Sequence, residues 1–209
     1  MRIRIIAVIM PVFLILCSQV MAATERGPMM PIAPLMIEHR LIERMIIIVE
    51  EQTAHFRQTG EVDLVFLDSL IDFIRFYADK VHHGKEEDIL FAELRKKDIT
   101  PAHKAVMEEL LQEHRSARAL AGQLDAVTES YRSGDKGSLP EICTILEGLS
   151  SIYRGHIIKE DRHFFLPVMN YFSREEQNAM LQEMWEFDRT MIHVKYREVV
   201  RRSSERIAK

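Results

Sequence analysis

One polar pattern occurs twice in this chain, and it constrains the fold more than any other feature. The first copy is Glu38-His39-Arg40, followed by His82 with Glu86. The second is Glu113-His114-Arg115, followed by His156 with Glu160. His39 and His114 are 75 residues apart, while His82 and His156, like Glu86 and Glu160, are 74 apart. The text around the later elements also matches: Lys85-Glu86-Glu87-Asp88-Ile89-Leu90-Phe91 against Lys159-Glu160-Asp161-Arg162-His163-Phe164-Phe165. Internal self-similarity is read first because it dictates architecture. A repeat kept only for packing would hold its apolar periodicity and let polar residues vary. This one keeps imidazole and carboxylate in register, as a two-fold-symmetric metal site inside a helix bundle requires.

The rest of the chain supports helices. Leu35, Met36, Ile42, Ile46 and Val49 form a stripe at helical spacing, which predicts a first helix from about Ile32 to Phe56, ended by Gly60. Asp63 reads as the cap of a second helix that reaches about Lys97, with Phe66, Leu67, Leu70, Phe73, Ile74, Tyr77 and Val81 on its stripe. Thr100-Pro101 fits an N-cap followed by proline at the first helical position, opening a third helix to about Tyr131. Ser133-Gly134-Asp135-Lys136-Gly137 reads as a loop. A fourth helix runs from Ser138 and Pro140 to about Leu166, where Pro167 disturbs it. Ser173 and Glu176 make a capping box for a fifth helix to about Val200. Its Met180, Leu181, Met184, Phe187 and Met191 suit packing across one side of a bundle. No segment reads as a strand. The expected fold is all-α: an up-down-up-down four-helix bundle with an additional C-terminal helix.

Residues 1–22 are read apart from the fold. Arg2 and Arg4 precede an apolar stretch from Ile5 to Leu16, and Val20-Met21-Ala22 offers a small-residue cleavage site. This is the pattern of a secretory signal peptide, so the chain is expected to be exported to the periplasm. The alternative is an inner-membrane anchor, although Ile5 to Val20 is short for a spanning helix. Residues 23–31, with Gly27, Pro28 and Pro31, read as a flexible lead-in to a bundle over 32–200, and 201–209 as a tail. Removing two arginines takes the net charge from -4 to -6, and no basic stripe carries interleaved aromatics, so a nucleic-acid surface is excluded. Cys143 would be left without an internal partner and reads as a small buried residue.

Residues four apart share one face of a helix. His82 with Glu86, and His156 with Glu160, can therefore each present an imidazole and a carboxylate in one direction. His39 lies between Met36 and Ile42 on the first apolar stripe, and His114 between Leu111 and Ala117 on the third. All four helices thus contribute to a core of four histidines and two glutamates: His39, His82, Glu86, His114, His156 and Glu160. Burying two unpartnered carboxylates would cost several kcal/mol each, so the set calls for a cation. Nitrogen and oxygen donors without thiolate suit a non-haem pair of Fe ions, and would also accept Mn or Zn. Two glutamates can bridge two metals while two histidines hold each end, leaving open positions for dioxygen, nitric oxide or peroxide.

These motifs resemble the hemerythrin-like HHE cation-binding domain, a four-helix bundle with a di-iron centre. The resemblance rests on Glu38-His39-Arg40-Leu41-Ile42-Glu43-Arg44-Met45, on Ala78-Asp79-Lys80-Val81-His82-His83-Gly84-Lys85-Glu86-Glu87-Asp88-Ile89-Leu90-Phe91, on Glu113-His114-Arg115, and on His156-Ile157-Ile158-Lys159-Glu160-Asp161. It implies that His39, His82, Glu86, His114, His156 and Glu160 are iron ligands. Oxygen-carrying hemerythrins have a His-x-x-x-His pair in the third helix, whereas Leu110 and Arg118 flank His114 here. In this the chain looks more like the hemerythrin-like iron–sulfur repair proteins, which also use four histidines and two glutamates. The cysteine-bearing N-terminal domain of those proteins is not expected here.

Other candidates weigh less. His83 and Glu87 make a second His-x-x-x-Glu, rotated by about 100° on the helix. Their repeat mates are Ile157 and Asp161, so the repeat favours His82 and Glu86. His163 faces nearly the same way as Glu160 and could add a nitrogen, but its mate is Ile89. Tyr153, one turn before His156, reads as packing or as a contact for a bound ligand. His55, His103 and His193 lack repeat mates and read as surface residues. The expected function is an exported di-iron protein that binds a small diatomic ligand or peroxide for sensing, scavenging or iron buffering. The alternative is a di-iron oxidoreductase reducing peroxide or nitric oxide.

Overall fold

Four long helices and a fifth make up the structure, a computed structural model that describes residues 29–207, with side chains as far as Arg201. The expected signal peptide, most of the lead-in and the last two residues lie outside the described residues. The first helix, α1, is Ile32–Thr59, and Gly60 closes it in the left-handed region at φ 74, where a side chain would be strained. The second, α2, spans 64–94. Its start is capped by the Asp63 carboxylate, which accepts from the amides of Val65 and Phe66. Helix α3 is Pro101–Arg132, capped by the Thr100 hydroxyl accepting from His103 N–H. Helix α4 spans 139–168 and follows a short 3₁₀ turn at Lys136–Ser138. Helix α5, Arg174–Ile207, opens with the expected capping box: Ser173 N–H donates to Glu176, and Glu176 N–H to the Ser173 hydroxyl. It continues seven residues past the expected end, into the expected tail. No strand occurs among the described residues.

Helices α1 to α4 pack as a closed ring of neighbours, α1 on α2, α2 on α3, α3 on α4 and α4 on α1. Their apolar stripes form two separate cores. One contains Ile42, Ile46, Leu70, Leu124, Leu146 and Leu149; the other contains Leu35, Leu90, Phe91, Leu94, Leu110, Phe164 and Phe165. Between them lies a layer of buried polar residues. The reason is visible on each stripe: His39 interrupts Leu35 and Ile42, and His114 interrupts Leu110 and Ala117. Apolar side chains therefore exclude water from both ends of the polar layer.

Two helices change pitch at that layer. In α2, Phe73–His83 and Glu86–Leu90 are π-helical; in α4, Glu160–Phe164 is. The segments that begin at Glu86 and Glu160 are repeat mates. Single π turns inside α-helices concentrate at functional sites, because an added residue re-aims the side chains around it. Helix α5 crosses α2 where glycine permits close approach: a Cβ at Gly84 would lie 2.9 Å from Cζ of Phe187. Met180, Leu181 and Met184 bury the inner face of α5, as its pattern predicts. Cys143 is buried without a disulfide partner among the described residues. No described helix is long and apolar enough to cross a membrane.

Candidate metal centre

The polar layer brings together all six residues singled out by the repeat, each nearly inaccessible to solvent. Their donor atoms fall into two groups, each with all members within 4.8 Å of one another. The first is His39, His82, Glu86 and Glu160; the second is His83, Glu86, His114 and His156. Glu86 belongs to both. Its two oxygens point to opposite ends of the layer, Oε1 lying 3.4 Å from Nε2 of His82 and Oε2 3.3 Å from Nε2 of His114. Glu160 Oε2 lies 3.1 Å from Nε2 of His39 and 3.2 Å from Nε2 of His156.

His83 is the residue that sequence reasoning placed outside the set. It is buried, and its ring stacks on that of His114 at 3.9 Å between centroids. The signal that could have found it is its repeat mate. Ile157 is apolar and buried, so the position faces inward in both copies. Glu87 does not reach the layer with His83; it holds His114 from outside. His163, His55 and His193 are exposed, and His103 is hydrogen-bonded to Tyr171 away from the layer.

Every one of the five imidazoles is held by a carboxylate at Nδ1. Asp161 accepts from His39 at 2.7 Å, Glu38 from His82 at 2.9 Å, Glu87 from His114 at 2.7 Å and Glu113 from His156 at 2.9 Å. Asp79 lies 3.4 Å from His83, the longest of the five. A carboxylate only accepts, so the proton is on Nδ1 and Nε2 turns inward. Carboxylate–histidine pairs of this kind orient the imidazoles of metal sites.

The partners obey the repeat. Glu38 and Glu113 precede the histidines of α1 and α3, and Glu87 and Asp161 follow the inner glutamates of α2 and α4. Lys85 pairs with Glu38 as Lys159 pairs with Glu113. Phe165 stacks on His39 at 5.6 Å, and Phe91 on His114 at 6.2 Å. The repeat thus carries a supporting shell as well as the inner residues. Arg40 braces Asp161, whereas its mate Arg115 turns to Gln112, and Arg118 braces Glu87 instead.

Protonation shows what the layer needs. Burial pulls His39 down, but Asp161 and Glu160 outweigh it and hold its pKa at about 9. Against the same burial, Glu160 and Glu113 raise His156 to about 10. His114 is also raised, by Glu86 and Glu87 against burial. Burial lowers His82 to about 4, and burial with the neighbouring His114 takes His83 well below its usual range. Burial would raise Glu160, yet His156 and His39 hold it well below the carboxylate range. Protons on His39 and His156 here occupy the place of positive charge beside Glu86 and Glu160.

Whether these residues suit a cation is tested by their unmet valences. Nε2 of His39, Nε2 of His82 and both oxygens of Glu86 and Glu160 are buried with no hydrogen-bond partner among the described residues. Buried polar atoms nearly always have a well-aligned partner; these instead converge on one another, with nitrogen–oxygen contacts of 3.1–3.4 Å, and so mark a place built for something between them. Imidazole nitrogen and carboxylate oxygen are donors for divalent iron, manganese or zinc. The residues fit such an ion, and the arrangement around Glu86 fits two.

Neither a curated protein nor a solved structure matches the chain. The hemerythrin HHE cation-binding domain matches residues 30–168, which takes in α1 to α4 and every residue of the layer, and leaves α5 beyond it. Two metal-sized groups sharing one glutamate agree with that match, and the chain belongs to the hemerythrin HHE cation-binding family.

Proposed function

We propose that the protein is an exported, non-haem di-iron protein that binds a small ligand (dioxygen, nitric oxide or peroxide) for sensing, scavenging or iron buffering. The observation that carries this reading is the sharing of Glu86 between two groups of donors, one containing His39, His82 and Glu160, the other His83, His114 and His156. Two irons held there would supply redox-active centres with positions open to a diatomic or peroxide. The protein's part is to orient five imidazoles through their Nδ1 partners and to keep bulk water out with the two apolar cores. His83 is assigned as a further nitrogen donor of the second group. It comes from α2, at a different place from the second helix-three histidine of oxygen-carrying hemerythrins. Export rests on the basic, apolar and small-residue order of residues 1–22.

The test is metal content and spectrum together. Full chain produced with iron supplied should hold two metals, and His82→Ala and His156→Ala should each lower that number. The reduced, loaded protein should change its optical spectrum when nitric oxide or oxygen is added. Two metals retained in both variants would remove the ligand assignment. Steady consumption of peroxide or nitric oxide with an added reductant would move the protein to the oxidoreductase reading. A mature N-terminus near Ala23 is expected by mass spectrometry; an intact N-terminus in the membrane fraction contradicts export.

A further inference from the structure

The polar layer is closed on most sides. Phe165 covers His39 and Phe91 covers His114. The apolar cores close both ends, and α5 covers the His82 side through Phe187 on Gly84 and Asp188 on Lys85. One side differs. Between α2 and α3 a pocket of about 280 Å³ reaches inward to His83 and Tyr153, past walls formed by Ile74 and Ala117 and a rim formed by Asp79 and Arg118. Roughly 10–15 Å³ is enough to hold one water, so the pocket has room for several small molecules.

Two features say what it accepts. Its rim charges are already paired: Arg118 donates to Asp79 at 2.6 Å and to Glu87 at 2.7 Å, and Arg75 pairs with Asp125 at 2.9 Å. A rim without free charge does not select an ion. At the inner wall, the Tyr153 ring lies parallel to that of His83 at 6.1 Å, and its hydroxyl is buried with no hydrogen-bond partner among the described residues. A tyrosine hydroxyl both donates and accepts, and no described residue meets this one, so it is placed to donate to a molecule that enters the pocket.

We propose that this pocket is the port through which a small uncharged ligand reaches the centre, and that the Tyr153 hydroxyl is the donor that meets it beside His83. The proposal rests on the small-ligand reading of the centre and adds its route, its direction and a positioning residue. The port opens on the group containing His83, His114 and His156, so the two ends of the layer differ in access although the repeat makes them alike.

The experiment uses the full chain, iron-loaded and reduced, with metal content measured first and nitric oxide association followed by stopped-flow absorbance. Ala117→Leu fills the pocket and should slow association roughly tenfold or more. Ile74→Ala widens it and should speed association. Tyr153→Phe should leave metal content and association alone and speed dissociation about fivefold, the factor carried by one lost hydrogen bond. Wild-type association rates in both the filled and the widened variant overturn the port. Unchanged dissociation in Tyr153→Phe overturns the role of the hydroxyl. Loaded wild-type protein that gives no nitric oxide spectrum sinks the small-ligand reading, and the port with it; normal binding at unaltered rates sinks the port alone.

Discussion

Adjacent carboxylates in α2 do different work. Glu86 lies inside the layer with its two oxygens against His82 and His114, while Glu87 holds Nδ1 of His114 from outside and is held in turn by Arg118. Glu86→Gln should cost most of the binding of one metal, because Glu86 lies against donors of both groups, a place it shares with Glu160 between His39 and His156. Glu87→Gln should weaken binding by roughly 10–100-fold without abolishing it, as loss of an orienting partner does. Isothermal titration with ferrous iron or zinc separates the two; equal losses would contradict the division. The lysines make a second comparison. Lys85 is wholly buried between Glu38 and Asp188, whereas its mate Lys159 is partly open to solvent. Lys85→Met strands the buried Glu38 and should destabilise the metal-free protein by roughly 3–5 kcal/mol, while Lys159→Met should cost about 1 kcal/mol or less. Urea melts of the two variants check this, and similar midpoints would argue against it.

Among the elements, α5 breaks the symmetry of the repeat. It covers only the first copy, and it can do so because Gly84 has no side chain where its mate, Ile158, has one. Asp188 on α5 connects through Lys85 and Glu38 to His82, so the cover touches the metal-binding layer by a chain of ionic contacts. Gly84→Leu should push Phe187 away and cost about 1–3 kcal/mol, the range for overpacking. Amide exchange should then quicken over residues 180–188 while α1 to α4 keep their protection. Undiminished protection of α5 would show that its hold does not depend on this close approach.

At the scale of the whole molecule, folding and metal loading are linked through protons. His39 and His156 have folded pKa values of about 9 and about 10, above the usual 6.5. The metal-free fold therefore binds these protons more tightly than the unfolded chain does. That contribution is complete below about pH 6.5 and is lost as pH rises through 9 and 10. His82, lowered to about 4, works the other way and withdraws stability as pH falls from 6.5 towards 4. The metal-free protein should accordingly melt highest near neutrality. Metal must displace the protons on His39 and His156, so loading near pH 7.5 should release about two protons per chain and stabilise the fold. Calorimetry in buffers of different ionisation enthalpy counts them. No proton release, or a metal-free melting temperature that climbs towards pH 10, would contradict this account.

The sequence alone determined the helices, their caps and the six inner residues. Those features are local or periodic: a hydroxyl reaches an amide three residues on, an apolar stripe recurs with the helical turn, and a 74-residue repeat can be read along the chain. Asp63, Thr100 and the Ser173–Glu176 box cap the helices as their residue types require. Tertiary structure alone decided which carboxylate holds His39, His82, His114 and His156, because those partners lie between 27 and 122 residues apart in the chain; Asp79 and His83 are one helical turn apart. It also decided that His83 faces inward. Helical angle set His83 against His82 as alternatives, yet packing among four helices buries both, and the buried Ile157 shows that the position is interior in each half. The pocket beside Tyr153 is likewise absent from any one helix, since its walls come from α2, α3 and α4 and exist only where their surfaces meet.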